Sequence, residues 1–251
     1  MNELLEAFDE YFELVPATTN ELRQEVFRLR YEVLCQEFKL SGFETRRYPD
    51  GLEVDEYDYR SVHYLLRHRP TSAIAGTVRL ILVDNTQVEK SFPVEQFSVH
   101  FNQAIVDPAL LPRRESAEIS RLMLSCQFRR REGENEFPFG TDRETVSMLA
   151  GRRRFPHPVL GLMAAVSRIS AENGITHWYA IMEPALNRLL RRFALQLKPI
   201  GPVVEYYGHR QPHFIKVTEL LQNAYQTQRQ VWELITKSGV LWPLPQNRHQ
   251  K

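Results

Sequence analysis

Apolar residues recur at helical spacing over residues 4–12. One apolar residue per turn predicts an amphipathic helix, which must end before Pro16 because the residue preceding a proline avoids the helical region. A second helix is predicted to begin at Thr18, with Glu21 three residues later as the other half of a capping box. The apolar stripe of this helix, residues 22, 26, 29 and 33, lies beside a second stripe, residues 23, 27, 30 and 34. Arg30 is therefore expected at the border of the core rather than fully in water.

The hydrophobic period changes to two at Val62, which is typical of strands. Residues 62–67 alternate, residues 69–72 are turn formers, and residues 73–83 are predicted as the second strand of a hairpin. The apolar segment 117–125 predicts another strand. The C-terminal half then alternates helices and strands, predicted at 158–174, 177–182, 184–193, 196–200, 203–207 and about 217–236.

This order of elements predicts one α+β domain over residues 1–251. The helix from Pro158 is expected to cross over between the strands at 117–125 and 177–182. The short strands near 196–200 and 203–207 are expected to close the sheet. An irregular excursion is predicted at about 129–157, and the last helix is an appended element.

Composition supports a packed core and excludes several classes of protein. Hydrophobic residues make up 43% of the 251 residues, and the formal net charge of +1 argues against a general nucleic-acid binder. The two cysteines fit neither a zinc site nor a disulfide framework, which favours a reducing compartment. The N-terminus lacks the pattern of a secretory signal, and no stretch approaches the roughly 20 apolar residues of a membrane span. We therefore expect a cytoplasmic protein without a transmembrane segment.

Charged residues occupy positions where a core is expected. Glu118 and Arg121 lie in the apolar segment 117–125, and Arg79 interrupts the apolar run of the second hairpin strand. Arg30 and the acidic stretch 53–58 add two further sites. Because lone charges are costly to remove from water, they must pair or perform chemistry. The sequence therefore predicts one polar pocket built from these four sites.

The residues around these sites resemble a known superfamily. The likeness is to the acyl-carrier-dependent branch of the GNAT superfamily, which includes the acyl-homoserine-lactone autoinducer synthases and the N-acyl amino acid synthases. The helix, acidic loop and strands of the autoinducer synthases are matched in order by residues 27–33, 55–58, 63–66, 76–80 and 118–121. The resemblance implies a GNAT-like fold, a mixed and mostly antiparallel sheet flanked by helices and splayed between the Glu118 and His177 strands.

The C-terminal half is similar to another family of the same superfamily. Residues 178–184, 200–202 and 207–212 resemble the acyltransferases associated with PEP-CTERM/exosortase systems. Autoinducer synthases usually carry a tryptophan shortly after the first helix, where this chain has residues 35–38 without one. The departure argues against making homoserine lactones from S-adenosylmethionine.

The resemblance implies roles for the charged strand residues. Glu118 is the candidate general base, which contributes about 10²–10⁴-fold when well placed. The alternative is a structural ion pair with Arg121 or Arg79. Ser120 shares the face of Glu118, whereas Arg121 would share it only if a β-bulge lies between them. These three residues form the predicted catalytic set.

Further residues are candidates for binding. Arg30, Asp55, Asp58 and Arg79 could hold the carboxylate and amine of an acceptor, or could form an internal salt-bridge network. Phe92 is assigned to the same pocket. Two basic triplets suit the phosphate of phosphopantetheine and an acidic carrier, or form a solvated face: Arg129, Arg130, Arg131, Arg152, Arg153 and Arg154. Walls for an acyl chain, or plain core, are predicted at Leu162, Met163, Val166 and Trp178.

The resemblance implies a fatty-acyl transfer from acyl carrier protein, or from acyl-CoA, to the amine of a small amino-acid-like acceptor. The co-substrate is then an acyl-phosphopantetheine thioester, and neither a tightly bound cofactor nor a metal is implied. One alternative is an autoinducer synthase that lactonises its acceptor. Another is a non-catalytic protein of an exosortase or exopolysaccharide system that keeps the scaffold.

Overall fold

The computed structural model describes residues 2–97, 101–102, 105–107, 110–129 and 155–243. Helices α1 to α8 span Glu3–Tyr11, Asn20–Tyr31, Pro93–Phe97, Cys126–Arg129, Pro158–Glu172, Pro184–Arg192, Val217–Thr227 and Arg229–Thr236. Strands β1 to β8 span Phe12–Pro16, Ser61–His68, Ile74–Ile81, Ser116–Leu124, His177–Met182, Lys198–Pro199, Val204–Glu205 and His209–Lys216. A π-helical turn, Glu32–Glu37, extends α2. Most of the predicted excursion, residues 130–154, lies outside the described residues.

The strands form one mixed sheet in the order β1-β2-β3-β4-β5-β8-β6, and β7 pairs with β8. Neighbouring strands are antiparallel except β4 and β5, which are parallel. Parallel neighbours need a crossover connection, and α5 supplies it as predicted. The predicted β2–β3 hairpin and the mostly antiparallel sheet are confirmed.

The N-terminal prediction missed an edge strand. Helix α1 ends at Tyr11, and β1 pairs with β2 from Phe12 opposite His68 to Pro16 opposite Tyr64. Phe12 continues the helical stripe of α1, so periodicity alone carried the helix too far. The start of α2 was also misplaced by one residue, because the hydroxyl of Thr19, not Thr18, caps it by accepting from Leu22 N–H.

The C-terminal prediction missed the strand that completes the sheet. Strand β8 runs antiparallel to β5 along its whole length, from Lys216 opposite His177 to Gln211 opposite Met182. The short strands β6 and β7 pair with β8 and do not contact β5 as ladder partners. Pro212 and the polar residues of β8 hide its strand pattern. The single final helix was wrong too, because Gln228 (φ −140°, ψ 65°) leaves the helical region and divides it into α7 and α8.

Helices cover both faces of the sheet. Leu66 packs in the main core with α5, while the adjacent Leu65 packs with Val26 of α2. Since consecutive strand residues point to opposite faces, α2 and α5 lie on opposite sides of the sheet. Within the described ranges, no helix is both long and apolar enough to span a bilayer.

Candidate active site

Strands β4 and β5 separate halfway along their length. Their parallel pairing runs from Ser116 opposite His177 to Ile119 opposite Ala180, and both strands continue beyond it. The register of β4 against β3 also shifts in this region, and Arg121 adopts φ 48°, in the left-handed region. An extra residue with such dihedral angles is a β-bulge. The predicted bulge is present but begins at Arg121: Arg121 and Leu122 lie opposite Val78 alone, whereas the pairing from Glu118 to Ser120 is regular.

A cavity of about 510 Å³ occupies the opening between the two strands. Its volume lies within the range of about 300–1,000 Å³ that is usual for small-molecule sites. Glu118, Ser120 and Arg121 of β4 line one wall, together with Asp55 and Arg79. The other parts of the wall are mostly apolar and include Val33, Leu34, Phe38, Leu40, Phe43, Met123, Met163, Ile181, Leu186, Leu190 and Leu197.

Three arginines and three carboxylates alternate in a closed ring that includes three residues of the polar wall. We call it the arginine–carboxylate ring, and its order is Arg30, Glu53, Arg121, Asp55, Arg79, Asp58 and back to Arg30. Every member contacts the two members beside it. Because the ring has three positive and three negative members, its formal charges sum to zero. The ring is the internal network that the sequence left as one of two alternatives.

Several contacts of the ring are bidentate. Arg30 Nη1 and Nη2 lie 2.7 and 3.1 Å from the Asp58 oxygens, and Arg30 Nε contacts Glu53. Arg79 Nη1 and Nη2 lie 2.5 and 2.9 Å from the Asp55 oxygens. Planar guanidinium groups make such paired contacts with good geometry, and charge-assisted hydrogen bonds are the stronger ones. The ring therefore holds these side chains in one arrangement.

Four separate chain segments supply the ring. Arg30 comes from α2, Arg79 from β3, Arg121 from the bulge, and the carboxylates from the loop before β2. Backbone contacts shape that loop: Asp58 accepts from Asp55 N–H at 2.8 Å. Arg30 is fully buried and Arg79 is 1% exposed, and Arg79 pairs with Asp55 and Asp58, as a charge within an apolar strand requires.

The ring stays charged at neutral pH. Burial alone would raise the pKa of Glu53, but Arg121 and Arg30 outweigh burial and lower it to about 2. Burial likewise opposes ionisation of Asp55 and Asp58, and their arginine partners hold both pKa values below the ordinary range. All three carboxylates are therefore ionised opposite permanently charged arginines.

Glu118 lies outside the ring. Its side chain is 2% exposed, and one carboxylate oxygen accepts from Val94 N–H at 2.8 Å. Burial raises the pKa of Glu118 to about 8, and the Val94 amide and Arg79 offset this only in part. Across the part of the chain that the structure describes, no arginine comes within ion-pair distance of Glu118. The ion-pair alternative for Glu118 is therefore not what the structure shows.

Ser120 and Arg121 complete the polar wall. Ser120 Oγ accepts from Arg79 Nη2 at 3.1 Å, and Ser120 lines the cavity. Arg121 reaches the same Asp55 carboxylate as Arg79 does, at 2.9 Å, so the bulge brings its side chain to the face of Ser120. The three predicted catalytic residues therefore line one cavity.

The other predicted substrate residues divide into two groups. Asp55 and Arg79 line the cavity, whereas Arg30 and Asp58 lie behind them and do not border it. Phe92 does not border it either. Its fully buried ring lies beneath two guanidinium groups, with Arg113 4.6 Å and Arg60 5.5 Å from the ring centroid. Cation–π contacts and burial make Phe92 part of the support rather than of the wall.

The predicted acyl-chain wall needs correction. Met163 lines the cavity, but Leu162, Val166 and Trp178 lie fully buried in the main core and do not border it. Trp178 Nε1 donates to Ser170 Oγ at 2.8 Å, which fastens α5 to β5. Leu162, Met163 and Val166 were assigned together because they follow one helical stripe, although only Met163 borders the cavity.

Of the two basic triplets, only Arg129 is among the described residues. Its guanidinium pairs with Glu37 and lies 4.3 Å from the Phe38 ring centroid, and little of its side chain is exposed. Arg130, Arg131, Arg152, Arg153 and Arg154 lie outside the described residues.

Sequence reasoning missed several residues of the site. Glu53 was noted only within an acidic stretch, although it joins two arginines of the ring. Glu183 and Arg210, paired at 3.3 Å, line the cavity together with Tyr206. Glu183 directly follows β5, and Arg210 lies in the strand that sequence patterns did not reveal. A residue placed by an unrecognised strand carries no local signal of its role.

Comparison with known proteins supports the assignment of the fold. A family profile described as an acetyltransferase (GNAT) domain matches residues 29–136, less than half of the chain. The match includes the three carboxylates of the ring and all of β2, β3 and β4. No curated protein matches the sequence.

Solved structures extend the likeness to nearly the whole chain. The CoA-dependent acyl-homoserine lactone synthase BjaI, solved with SAM and isopentyl-CoA, is 22% identical, with a TM-score of 0.53 over 90% of this chain and 88% of its own. TofI, in a ternary complex with an inhibitor and MTA, is 17% identical, with a TM-score of 0.55 over 85% of this chain and 96% of its own. FeeM, an N-acyl amino acid synthase from uncultured soil microbes, is 14% identical, with a TM-score of 0.51 over 87% of this chain and 98% of its own. The fold is GNAT-like.

Arg30→Ala should destabilise the protein strongly. The change leaves Glu53 and Asp58 buried without one of their partners, and breaking a buried pair costs about 3–5 kcal/mol. Chemical denaturation measures the free energy of unfolding. Arg28→Ala is the matched control, because Arg28 lies on the same helix and is exposed; it should change that free energy by less than about 0.5 kcal/mol. Equal effects of the two variants would contradict the buried ring.

Glu118→Gln should stabilise the protein at neutral and alkaline pH. A carboxyl whose pKa rises from 4.5 to about 8 on folding binds its proton more tightly in the folded state. The free energy of unfolding of the parent therefore falls by up to about 1.4 kcal/mol per pH unit between these values, whereas the glutamine does not titrate. Thermal unfolding at several pH values checks this. The exposed Glu10→Gln is the control, and its difference from the parent should not grow through this window.

Proposed function

We propose that the protein is an acyltransferase that moves a fatty acyl group from acyl carrier protein, or from acyl-CoA, to the amine of a small amino-acid-like acceptor. The observation that carries the proposal is the placement of Glu118. It is a buried carboxyl without an arginine partner among the described residues, its pKa is raised to about 8, and it lines a cavity at the splay of β4 and β5. A base with a pKa near the working pH is what amine deprotonation requires.

The thioester carbonyl carbon would lie at the splay, and the acceptor nitrogen would attack it directly. Formation of the nitrogen–carbon bond opens the carbonyl to a tetrahedral oxyanion, and the carbon–sulfur bond breaks as the carbonyl re-forms. No covalent enzyme intermediate is needed. Glu118 takes the proton of the amine, directly or through water, and returns it to the departing thiolate, which leaves as the thiol. Backbone N–H groups at the separation of β4 and β5 are suited to stabilise the oxyanion. Ser120 and Arg121 line the same wall and would orient the reacting groups.

The polar wall suits an acceptor that carries both charges. The side chains of Asp55 and Arg121 are 22% and 15% exposed, so each still reaches the cavity from the ring. A carboxylate suits the ammonium of the acceptor and a guanidinium suits its carboxyl group. The internal network and the acceptor pocket are therefore compatible roles for the same residues.

The apolar part of the cavity suits the acyl chain. Met163 of α5, Leu186 and Leu190 of α6 and Phe43 before the acidic loop contribute to it. Burying methylene groups against such side chains contributes about 0.8 kcal/mol each. Docking of the carrier and its phosphate is assigned to the basic triplets, chiefly to the five arginines at 130, 131 and 152–154. The likeness to BjaI, a CoA-dependent acyl-homoserine lactone synthase, supports an acyl-thioester donor, and the likeness to FeeM, an N-acyl amino acid synthase, supports an amino acid as acceptor.

The second candidate function is an autoinducer synthase, favoured by the likeness to BjaI, an acyl-homoserine lactone synthase solved with SAM. Incubation with acyl carrier protein and S-adenosylmethionine separates the two, since only this alternative releases methylthioadenosine. For the proposed N-acyltransferase, mass spectrometry of lipids from a plain bacterial host that produces the protein identifies the acceptor. A new N-acylated amino acid supports the proposal. The non-catalytic alternative, a scaffold protein of an exosortase or exopolysaccharide system, predicts no acylated product in either experiment.

Glu118→Gln should lower the acylation rate by about 10²-fold or more, because an amide cannot accept the proton of the amine at neutral pH. Raising the pH should restore part of the activity, since more of the acceptor amine is then already deprotonated. Rates are measured by release of free thiol, with thermal unfolding as the control for folding. A variant that acylates at the parental rate would assign Glu118 a structural role and leave water or the substrate to take the proton.

A further inference from the structure

The hydrogen bond on Glu118 comes from a helix that is too short to be stable alone. Helix α3 contains five residues, Pro93–Phe97, and Val94 N–H donates to Glu118 at 2.8 Å. Isolated helices shorter than about 12 residues are marginal in water, so contacts elsewhere must hold α3 in place. The position of the Val94 amide therefore depends on whatever fixes this helix.

Glu95 fixes the start of α3. One of its carboxylate oxygens accepts from Phe92 N–H at 2.8 Å, which closes the first turn as the acid of a capping box does. The same carboxylate forms a two-point contact with Arg113, in which Nη2 lies 2.9 Å from Oε2 and Nη1 contacts Oε1. Glu95 thus joins the helix to the segment that leads into β4.

Arg113 is itself tied to the surrounding loop. Its Nη2 donates to Lys90 O at 2.8 Å and its Nε to Val88 O at 3.3 Å, while the guanidinium covers the Phe92 ring. Arg113 lies five residues before Glu118 along the chain. The Glu95–Arg113 pair therefore fastens the helix that donates to Glu118 to the strand that carries Glu118.

We propose that Glu95 and Arg113 are positioning residues for Glu118: their ion pair keeps the Val94 amide on the Glu118 carboxyl and holds that carboxyl at the cavity. The inference rests on the proposed function of Glu118 as the base. Neither residue borders the cavity, so neither is expected to touch the substrates. Their effect is transmitted through α3 and through their own charges.

Several charged and titratable groups face Glu118. Arg79 of β3 and Arg60 before β2 favour its ionised form, while Glu95 disfavours it. Tyr57, Tyr179 and Tyr206 face it from the acidic loop, β5 and the β7–β8 loop; burial raises the pKa of each tyrosine, and Glu118 adds to that rise. Among these groups, the influence of Glu95 depends on its pairing with Arg113, because a paired charge acts weakly at a distance. Removing the charge of Glu95 should therefore lower the pKa of Glu118, and removing the charge of Arg113 should raise it.

The test is a direct titration of Glu118 in the full chain. Carboxyl carbon NMR of protein labelled with ¹³C-glutamate follows every glutamate, and the signal absent from Glu118→Gln identifies residue 118. Glu95→Gln removes a negative charge but keeps the hydrogen-bonding shape, so the titration midpoint of Glu118 should fall by about half a pH unit or more. Arg113→Gln leaves the Glu95 charge unpaired, and the midpoint should rise by a similar amount.

Controls separate positioning from general damage. Arg114→Gln removes the same charge from the next residue, whose exposed side chain contacts Asn85 at 3.5 Å, and should leave the midpoint unchanged. In the active enzyme, the acidic side of the pH profile of kcat/KM should shift in each variant in the same direction as the titration midpoint of Glu118. Glu95→Ala, which loses the contacts as well as the charge, should lower kcat/KM further than Glu95→Gln at every pH.

Unchanged midpoints in Glu95→Gln and Arg113→Gln, or shifts in the same direction, would overturn the inference. If Arg113→Gln does not fold, Glu95→Gln decides alone, since a fall supports the inference and an unchanged midpoint refutes it. The titration needs no turnover. A parent protein that transfers no acyl group would therefore refute the proposed function, while the titration would still show whether the pair controls Glu118.

Discussion

The arginine–carboxylate ring is the constraint on which the rest of the site depends. Six charges are removed from water together, and each would be costly to bury without its neighbours. The ring closes only when α2, the acidic loop, β3 and the bulge of β4 meet in one arrangement. Because each member contacts the two beside it, displacing α2, β3 or the bulge takes one of the two arginine partners from each of two carboxylates. The polar wall of the cavity is thus held by electrostatics rather than by apolar packing.

The ring also explains the state of Glu118. Arg79 and Arg121 lie in the same sheet as Glu118, and each already contacts two carboxylates. Neither is left to neutralise a fourth acid, so burial dominates and the pKa of Glu118 rises to about 8. A neutral carboxyl beside a fully paired ring can exchange a proton near neutral pH without disturbing the charges around it. This division between paired and unpaired acids is what supports the proposed proton transfer.

The splay gives the two sides of the cavity different chemistry. Where β4 and β5 part, the cavity reaches residues from both faces of the sheet, with Asp55 and Arg79 on the side of α2 and Met163 and Leu186 on the side of α5 and α6. A polar acceptor and an apolar chain can therefore meet at the gap. The bulge at Arg121 serves the same opening, because it turns a third charged side chain toward the cavity and interrupts the regular pairing of β4.

The sequence by itself determined the local elements and the types of residue that had to be paired. Arg79 within an apolar strand required a partner, Glu118 and Arg121 required a bulge to share a face, and Pro158 and Pro184 began helices. Strands β1 and β8 escaped because each has a weak pattern and is stabilised by its neighbour in the sheet. Only the tertiary structure decided which acid pairs with which arginine, since the partners are separated by 21 to 68 residues. The same applies to Glu118: a residue type shows that a charge is present, but burial, together with the distances to other charges, sets its pKa.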